Sequence, residues 1–243
     1  MNYRMEIQYD GTRYHGWQRL DKFETVQGKI EDVLSRLFEH KIEIQGAGRT
    51  DAGVHAKGQV ANFKVNCEKN EKEILEYLNK YLPEDIAVTK ISTQDERFHS
   101  RLLTKGKVYR YRILNSEIPD VFNRKYVYQI SEELNIDEME KATQFFVGKH
   151  NFKAFCSNKH LKKSAVREIY SIDIEKQNNE ILITFYGNGF LYNMVRIITG
   201  TLIEIGLGKR KAEEIPDIIS SQNREMAGET APARGLCLMK VMY

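Results

Sequence analysis

The stretch YRMEIQY at residues 3–9 places a large apolar side chain at every second position, with a charged or polar one between them. This period of two predicts a β-strand with one buried face. From residue 26 to residue 38 the apolar side chains instead recur at helical spacing, and Thr25 directly precedes them as the predicted N-cap. The chain therefore opens with a strand that is followed by an amphipathic helix.

Further strands and helices continue the pattern from this start. Short strands are predicted at residues 42–45 and 59–65, and a second helix at residues 74–81 ends at Pro83 before a strand at residues 86–91. The order strand, helix, strand, strand, helix, strand is that of the split βαβ unit of ferredoxin-like proteins. The same order recurs in the second half, with elements predicted at residues 107–114, 137–147, 168–175, 181–186, 191–205, 212–221 and 236–241.

These elements predict an α+β protein that is built from two ferredoxin-like halves, residues 1–103 and residues 104–243. We expect a mixed, largely antiparallel sheet that is flanked by helices, with a central cleft between the halves. Gly206 follows the long helix of the second half and is its predicted C-cap.

The composition is that of an ordinary globular protein. Hydrophobic residues make up 41% and charged residues 29% of the 243 residues, and no apolar run reaches the ~18 residues of a transmembrane helix. The first residues carry no apolar signal region. The three cysteines, Cys67, Cys156 and Cys237, are odd in number and far apart, which predicts neither a disulfide framework nor a zinc site. We therefore expect a soluble, cytoplasmic protein without a metal ion or a membrane partner.

The basic residues are unevenly distributed. The net charge is +3, yet residues 97–112, RFHSRLLTKGKVYRYR, hold six Lys or Arg and no acid, so the rest of the chain is slightly acidic. A local basic segment of this kind suits a surface that faces phosphate groups. A solvated strand and loop would give the same composition, and the charge alone does not separate the two interpretations.

A glycine-rich segment, GAGRTDAGVHA at residues 46–56, carries the most informative side chains. Three glycines within eight residues predict a loop with unusual backbone freedom, and Arg49 and Asp51 lie in it. One interpretation is a rigid loop that presents a single carboxylate for chemistry. Another is a tight turn in which Asp51 caps backbone N–H groups. A metal site is disfavoured because Asp51 is the only acid between Glu43 and Glu68.

Two segments of the second half add candidate residues. In KVYRYR at residues 107–112, aromatic and basic side chains alternate, so Tyr109 could stack on an extruded base, or Tyr109 and Tyr111 could both be core. Arg196 lies beside the apolar stripe of the predicted helix, where an unpaired charge would be costly. It either pairs with a carboxylate such as Asp51 or lies exposed on the helix flank.

Together these segments resemble the tRNA pseudouridine synthase A family. The string around Asp51 is specific because it is long, whereas the aromatic and basic strand alone is a weak signal. The matching strings run through the chain: YDGT at residues 9–12, GWQ at 16–18, GRTDAGVH at 48–55, KVYRY at 107–111, GFL at 189–191, MVR at 194–196, APA at 231–233 and GL at 235–236.

The resemblance implies the pseudouridine synthase fold and roles for individual residues. Asp51 would be the nucleophile, and Arg196 would pair with it. Tyr109 would stack on the target uracil, and Arg49 would hold the RNA backbone or the space that the flipped nucleotide leaves. Further substrate contacts are implied at Leu236 and His55.

The resemblance also implies the substrate and the assembly. The enzyme would be an isomerase that converts uridine to pseudouridine in the anticodon stem-loop of tRNAs, at positions 38–40, as a homodimer without a cofactor. Two alternatives are a non-catalytic RNA-binding module with ferredoxin-like halves and a metal-dependent phosphodiesterase. The first gives no reason for a lone carboxylate in a glycine-rich loop, and the second lacks an acidic cluster.

Overall fold

The computed structural model describes residues 1–66 and 69–243 and forms two compact units. The first unit comprises Met1–Lys105 together with Cys237–Tyr243, and the second comprises Gly106–Leu236. The terminal strand is predicted to belong to the second half, whereas residues 237–243 group with the first unit. Of the cysteines, Cys67 lies outside the described residues, Cys156 is buried and Cys237 is half-buried.

The first unit has the predicted order of strands and helices. Its elements are β1 (Asn2–Tyr9), α1 (Val26–Phe38), β2 (Gln45–Gly46), β3 (His55–Lys64), α2 (Glu71–Tyr81) and β4 (Ile86–Gln94). The sheet runs β4-β1-β3-β2, and each of these neighbouring pairs is antiparallel. This is the strand arrangement of a split βαβ unit, so the ferredoxin-like prediction is confirmed for this unit.

The buried face predicted for β1 is confirmed, because all four large apolar side chains of residues 3–9 are buried. Thr25 caps α1 by accepting a hydrogen bond from the Gly28 N–H. The predicted strand at residues 42–45 is wrong over most of its length. The N–H groups of Ile42 and Ile44 donate to the side chains of Ser35 and Glu31 on α1 instead of to a neighbouring strand. β2 is therefore limited to Gln45–Gly46, and only Gln45 lies in the predicted range.

The second unit contains β5 (Gly106–Asn115), β6 (Tyr128–Ile130), α3 (Ile136–Thr143), β7 (Gly148–Asn151), β8 (Val166–Gln177), β9 (Glu180–Gly187), α4 (Met194–Gly206) and α5 (Ile215–Ser221). Its sheet runs β5-β9-β8-β7 with antiparallel neighbours, and β6 lies parallel to β5. β8 and β9 form a hairpin, and Asn178 in its turn takes the left-handed φ of 53° that the turn needs.

The prediction that Gly206 caps α4 is wrong. Gly206 is the last helical residue, Leu207 is the C-cap, and the left-handed glycine is Gly208, with φ of 70°. Gly206 lets α4 pack closely on α3, because an added Cβ would lie 2.7 Å from the Met139 sulfur and the methionine side chain would have to move.

The terminal strand, β10 (Leu236–Met242), completes the sheet of the first unit. Cys237 and Leu238 pair in parallel with the first two residues of β3, and the Lys105 N–H donates to the Met242 carbonyl. The sheet is therefore mixed but largely antiparallel, and helices flank it, as predicted. The expected central cleft stays a prediction. Among the described residues, none of the helices is both long and apolar enough to cross a membrane.

Candidate active site

Residues 47–54, called here the Asp51 loop, connect β2 to β3 in the first unit. Asp51 is half-buried and Arg49 is exposed, while Thr50 between them is only 6% exposed. The Val54 N–H donates to the Asp51 carbonyl at 3.1 Å and closes a tight turn. The loop therefore displays two oppositely charged side chains on either side of a buried threonine.

The segment that joins β1 to α1 holds the backbone of the Asp51 loop. The Trp17 N–H donates to the Thr50 carbonyl at 3.1 Å, and the Gly53 N–H donates to the Tyr14 carbonyl at 3.3 Å. Gly16, with φ of 90°, lies so close that an added Cβ would be 2.6 Å from the Thr50 carbonyl oxygen. Only glycine meets both requirements, so this close approach fixes where the loop can lie.

Two buried polar side chains hold the loop from the sheet. The hydroxyl of Tyr9 lies 2.8 Å from the Thr50 hydroxyl and shares a hydrogen bond with it. The Gln59 side-chain amide donates to the Gly48 carbonyl at 2.9 Å. Burial raises the pKa of Tyr9 well above its ordinary value, so its hydroxyl stays protonated at physiological pH. Sequence reasoning did not identify these contacts.

His55 is the first residue of β3 and is buried. Its Nδ1 lies 3.1 Å from the Gly11 N–H nitrogen and 3.1 Å from an Asp10 carboxylate oxygen. Both contacts come from the two residues that follow β1. The ring therefore connects the residue that follows the Asp51 loop to the end of β1. The implied contact of His55 with substrate stays a prediction.

Tyr109 and Tyr111 share one face of β5 in the second unit but have different surroundings. Tyr111 is fully buried, and its hydroxyl donates to the Pro232 carbonyl at 2.7 Å. Tyr109 is 7% exposed, and its ring makes an edge contact with the ring of Phe190, with centroids 5.4 Å apart. Tyr111 is thus a core residue, whereas the implied stacking role of Tyr109 stays a prediction.

Arg196 lies in the first turn of α4 and is half-buried, so the interpretation as an exposed flank residue is wrong. Its Nε donates to the Ala231 carbonyl at 2.7 Å, and its Nη1 donates to the Asn193 side chain at 3.1 Å. The Ala231 N–H returns a bond to the Arg196 carbonyl at 3.1 Å. The guanidinium is therefore held in one orientation, and its implied pairing with Asp51 stays a prediction.

The structure brings the predicted residues together in two sets. Asp51, Arg49 and His55 lie on one loop and the strand that it enters. In the other unit, the adjacent carbonyls of Ala231 and Pro232 accept bonds from Arg196 of α4 and from a tyrosine of β5. Leu236 follows a few residues later and is buried; its implied role in binding the substrate is untested.

Neither set resembles a metal site. Within residues 1–66 and 69–243, His, Cys, Asp and Glu side chains form no group of three or more that could hold a metal ion.

The sequence matches the family described as "tRNA pseudouridine synthase" over residues 5–101 and 142–243. It is 51% identical over 243 residues to tRNA pseudouridine synthase A of Bacillus sp. (strain KSM-64), covering 100% of this chain and 99% of the relative. It is 46% identical over 243 residues to tRNA pseudouridine synthase A 2 of Bacillus anthracis and 45% identical over 242 residues to tRNA pseudouridine synthase A of Acetivibrio thermocellus, with the same coverage. The matched ranges include the Asp51 loop and Arg196, and Tyr109 lies between them.

Proposed function

The chain belongs to the tRNA pseudouridine synthase family, and we propose that it modifies the anticodon stem-loop at positions 38–40, with Asp51 as its catalytic carboxylate. As a member of the family it is an isomerase that converts uridine to pseudouridine in tRNA. The alternative of a non-catalytic RNA-binding module is set aside because the relatives are named as synthases.

The reaction needs little beyond a positioned carboxylate. The bond from ribose C1′ to N1 breaks, and C1′ is rejoined to C5 of the same base, while the C5 proton leaves and N1 gains a proton. The base must first leave the helical stack, which costs a few kcal/mol. No atoms are gained and no electrons are transferred overall, so the protein's task is to bind, orient and attack the extruded nucleotide.

The observation that carries the assignment of Asp51 is the way its loop is held. A half-buried carboxylate sits between backbone bonds at Thr50 and Gly53, which both run to the segment after β1. A catalytic group must keep its position to within about 0.5 Å. A loop fixed on both sides of a single carboxylate supports this role better than that of an ordinary surface turn.

The remaining residues take the roles that the family resemblance implies. Tyr109 stacks on the extruded uracil, and its edge contact with Phe190 supports a fixed ring plane. Arg196 pairs with Asp51 and stabilises its ionised form, since a neighbouring positive charge favours the carboxylate. Arg49, exposed two residues before Asp51, contacts the RNA backbone.

Release of tritium from tRNA that carries C5-labelled uridine tests the proposal. We expect purified Asp51→Asn to release none above background, while its affinity for tRNA stays within about threefold of wild type, because the substitution removes a charge without changing size. The matched control is Asp217→Asn, which changes an exposed carboxylate on α5 and should leave turnover intact.

A second tRNA substrate tests the proposed positions of modification. A tRNA in which cytidine replaces each uridine at positions 38–40, with labelled uridine elsewhere, should release no tritium. Turnover by Asp51→Asn would refute the catalytic assignment, and release from the substituted tRNA would refute the proposed positions.

We further propose that the active form is a homodimer in which one tRNA contacts both subunits, as the family resemblance implies. Sedimentation of the enzyme with and without tRNA tests the assembly. A monomer with full turnover at the working concentration would overturn it.

A further inference from the structure

We propose that the buried hydroxyl pair of Tyr9 and Thr50 is a positioning device for Asp51, which sets the rate of the isomerisation without contacting the RNA. This inference rests on the proposed catalytic role of Asp51. Neither residue is charged or exposed, so neither belongs to the set that the sequence singled out as site residues.

Thr50 directly precedes Asp51 and is held at two points. Its hydroxyl lies 2.8 Å from the Tyr9 hydroxyl, and its carbonyl accepts the Trp17 N–H at 3.1 Å. Thr50 and Tyr9 are 6% and 5% exposed, so water does not compete for the hydroxyl bond. With both its side chain and its carbonyl fixed, Thr50 cannot rotate, and the orientation of the next residue follows.

Tyr9 is itself a rigid support. It is the last residue of β1, where it pairs with Ala56 of β3 and Ile86 of β4, and its ring lies 6.0 Å from the ring of Trp17. Because strands bind it on both sides, the hydroxyl is a fixed point of the sheet.

Gln59 of β3 holds the start of the Asp51 loop. Its side-chain amide donates to the Gly48 carbonyl at 2.9 Å, and its side-chain oxygen accepts the Val60 N–H at 3.1 Å. The Asp51 loop is therefore held from β3 at Gly48 and from β1 at Thr50. The Tyr9 hydroxyl supplies the contact to the residue that directly precedes Asp51.

The expected effect follows from the tolerance of catalysis to misplacement. A shift of about 1 Å in a reacting group can cost about a hundredfold in rate. Removing one hydroxyl frees Thr50 only partly, because its carbonyl bond to Trp17 remains. We therefore expect a loss of about tenfold in kcat and little change in the KM for tRNA.

A merely structural role predicts a different result, and Tyr3 provides the control. Tyr3 lies on the same strand and the same face as Tyr9, is 1% exposed, and donates its hydroxyl to the Lys69 carbonyl at 2.9 Å. Tyr9→Phe and Tyr3→Phe each remove one buried hydroxyl and keep the ring. Only the first removes a contact to the Asp51 loop.

The experiment compares kcat, KM and the thermal midpoint for Tyr9→Phe, Thr50→Val, Thr50→Ser, Tyr3→Phe and the double variant Tyr9→Phe/Thr50→Val, with tritium release as the assay. Tyr9→Phe and Thr50→Val should each lower kcat about tenfold at a KM within twofold of wild type. The double variant should lose no more than the worse single variant. Thr50→Ser, which keeps the hydroxyl, should recover most of the activity that Thr50→Val loses.

Tyr3→Phe should lower the thermal midpoint about as much as Tyr9→Phe while its kcat stays within twofold of wild type. Because the Tyr9 hydroxyl stays protonated, the shape of the pH–rate profile should not change in Tyr9→Phe. The inference fails if Tyr9→Phe keeps full kcat, or if Tyr3→Phe loses kcat equally. Either result, obtained with an inactive Asp51→Asn, leaves the catalytic assignment standing, whereas turnover by Asp51→Asn overturns that assignment itself.

Discussion

Replacement of Gly16 by alanine tests whether the Asp51 loop depends on its neighbour. Gly16 precedes Trp17 in the segment after β1 and adopts φ of 90°. The added Cβ of Gly16→Ala would lie 2.6 Å from the Thr50 carbonyl oxygen and 3.2 Å from the carbonyl carbon of Asp51. These are backbone atoms, so the clash cannot be relieved by turning a side chain. The loop that carries the carboxylate must move.

Two separate costs follow from this geometry. Ordinary contact begins near 3.4 Å, so the alanine Cβ and the Thr50 oxygen must separate by about 0.8 Å. A displacement of that size in a catalytic loop should lower kcat between about tenfold and a hundredfold. In addition, a non-glycine residue at a left-handed φ costs about 1–2 kcal/mol of folding stability.

A variant at Gly208 separates the loss of folding stability caused by backbone strain from the loss of kcat caused by the clash. Gly208 also adopts a left-handed φ, 70°, but an added Cβ would meet nothing within 4 Å. Gly208→Ala therefore carries the backbone strain without the clash. We expect both variants to lose stability in urea melts, and only Gly16→Ala to lose kcat in the tritium-release assay at saturating tRNA.

Two outcomes would contradict this reasoning. If Gly16→Ala unfolds as easily as Gly208→Ala but turns over at the wild-type rate, the loop tolerates displacement and its fixed position is not a catalytic requirement. If both variants lose kcat equally, general destabilisation explains the loss.

Two further predictions concern other parts of the chain. Arg196→Ala removes two charge-assisted hydrogen bonds, including that to the Ala231 carbonyl, and should lower the unfolding free energy by about 2 kcal/mol in urea melts. Arg196→Lys should not restore the lost stability, because an ammonium group lacks the forked N–H donors of the guanidinium. Burial alone would raise the pKa of Asp85, but hydrogen bonds from Arg13 and Tyr14 outweigh it and hold that pKa below its ordinary value. The stability that Asp85 contributes should thus be present above the unfolded-state pKa of about 3.9 and lost as the pH falls through the folded-state pKa. Wild type and Asp85→Asn should therefore differ in urea melts at pH 7, and the difference should shrink as the pH falls below about 3.9. A constant difference across that range would contradict this account.

The elements that the sequence predicts well are those whose side chains repeat long enough to show a period. β1 has eight residues and α1 has thirteen, and both were found where expected. β6 and β7, with three and four residues, are too short for any alternation to appear, and neither was predicted. The short length of β2 was missed for another reason: the backbone donors before it bond to α1 side chains that lie 7 and 13 residues away.

In the candidate site, too, the features that the sequence predicts are local, whereas contacts between residues far apart in the sequence are not predicted. Asp51 was found because glycines mark its loop within a few residues. The Tyr9–Thr50 hydrogen bond joins residues 41 apart, and Arg196 reaches a carbonyl 35 residues away. No pattern within a window of residues reports such contacts, since they exist only once the strands have paired. The family resemblance marked both regions as informative without saying what holds them.

The pairing of β10 with β3 has a consequence for how the protein is made. A ribosome that has released residues 1–105 has produced six elements of the first unit, but His55 and Ala56 at the start of β3 still lack the neighbouring strand that β10 provides, because β2 pairs only with Ala61 and Asn62. β10 is translated only after the entire second unit. During synthesis this exposed edge is a template for wrong pairing between nascent chains, and it is closed only when residues 237–242 arrive. The first unit to emerge is therefore the last to be completed.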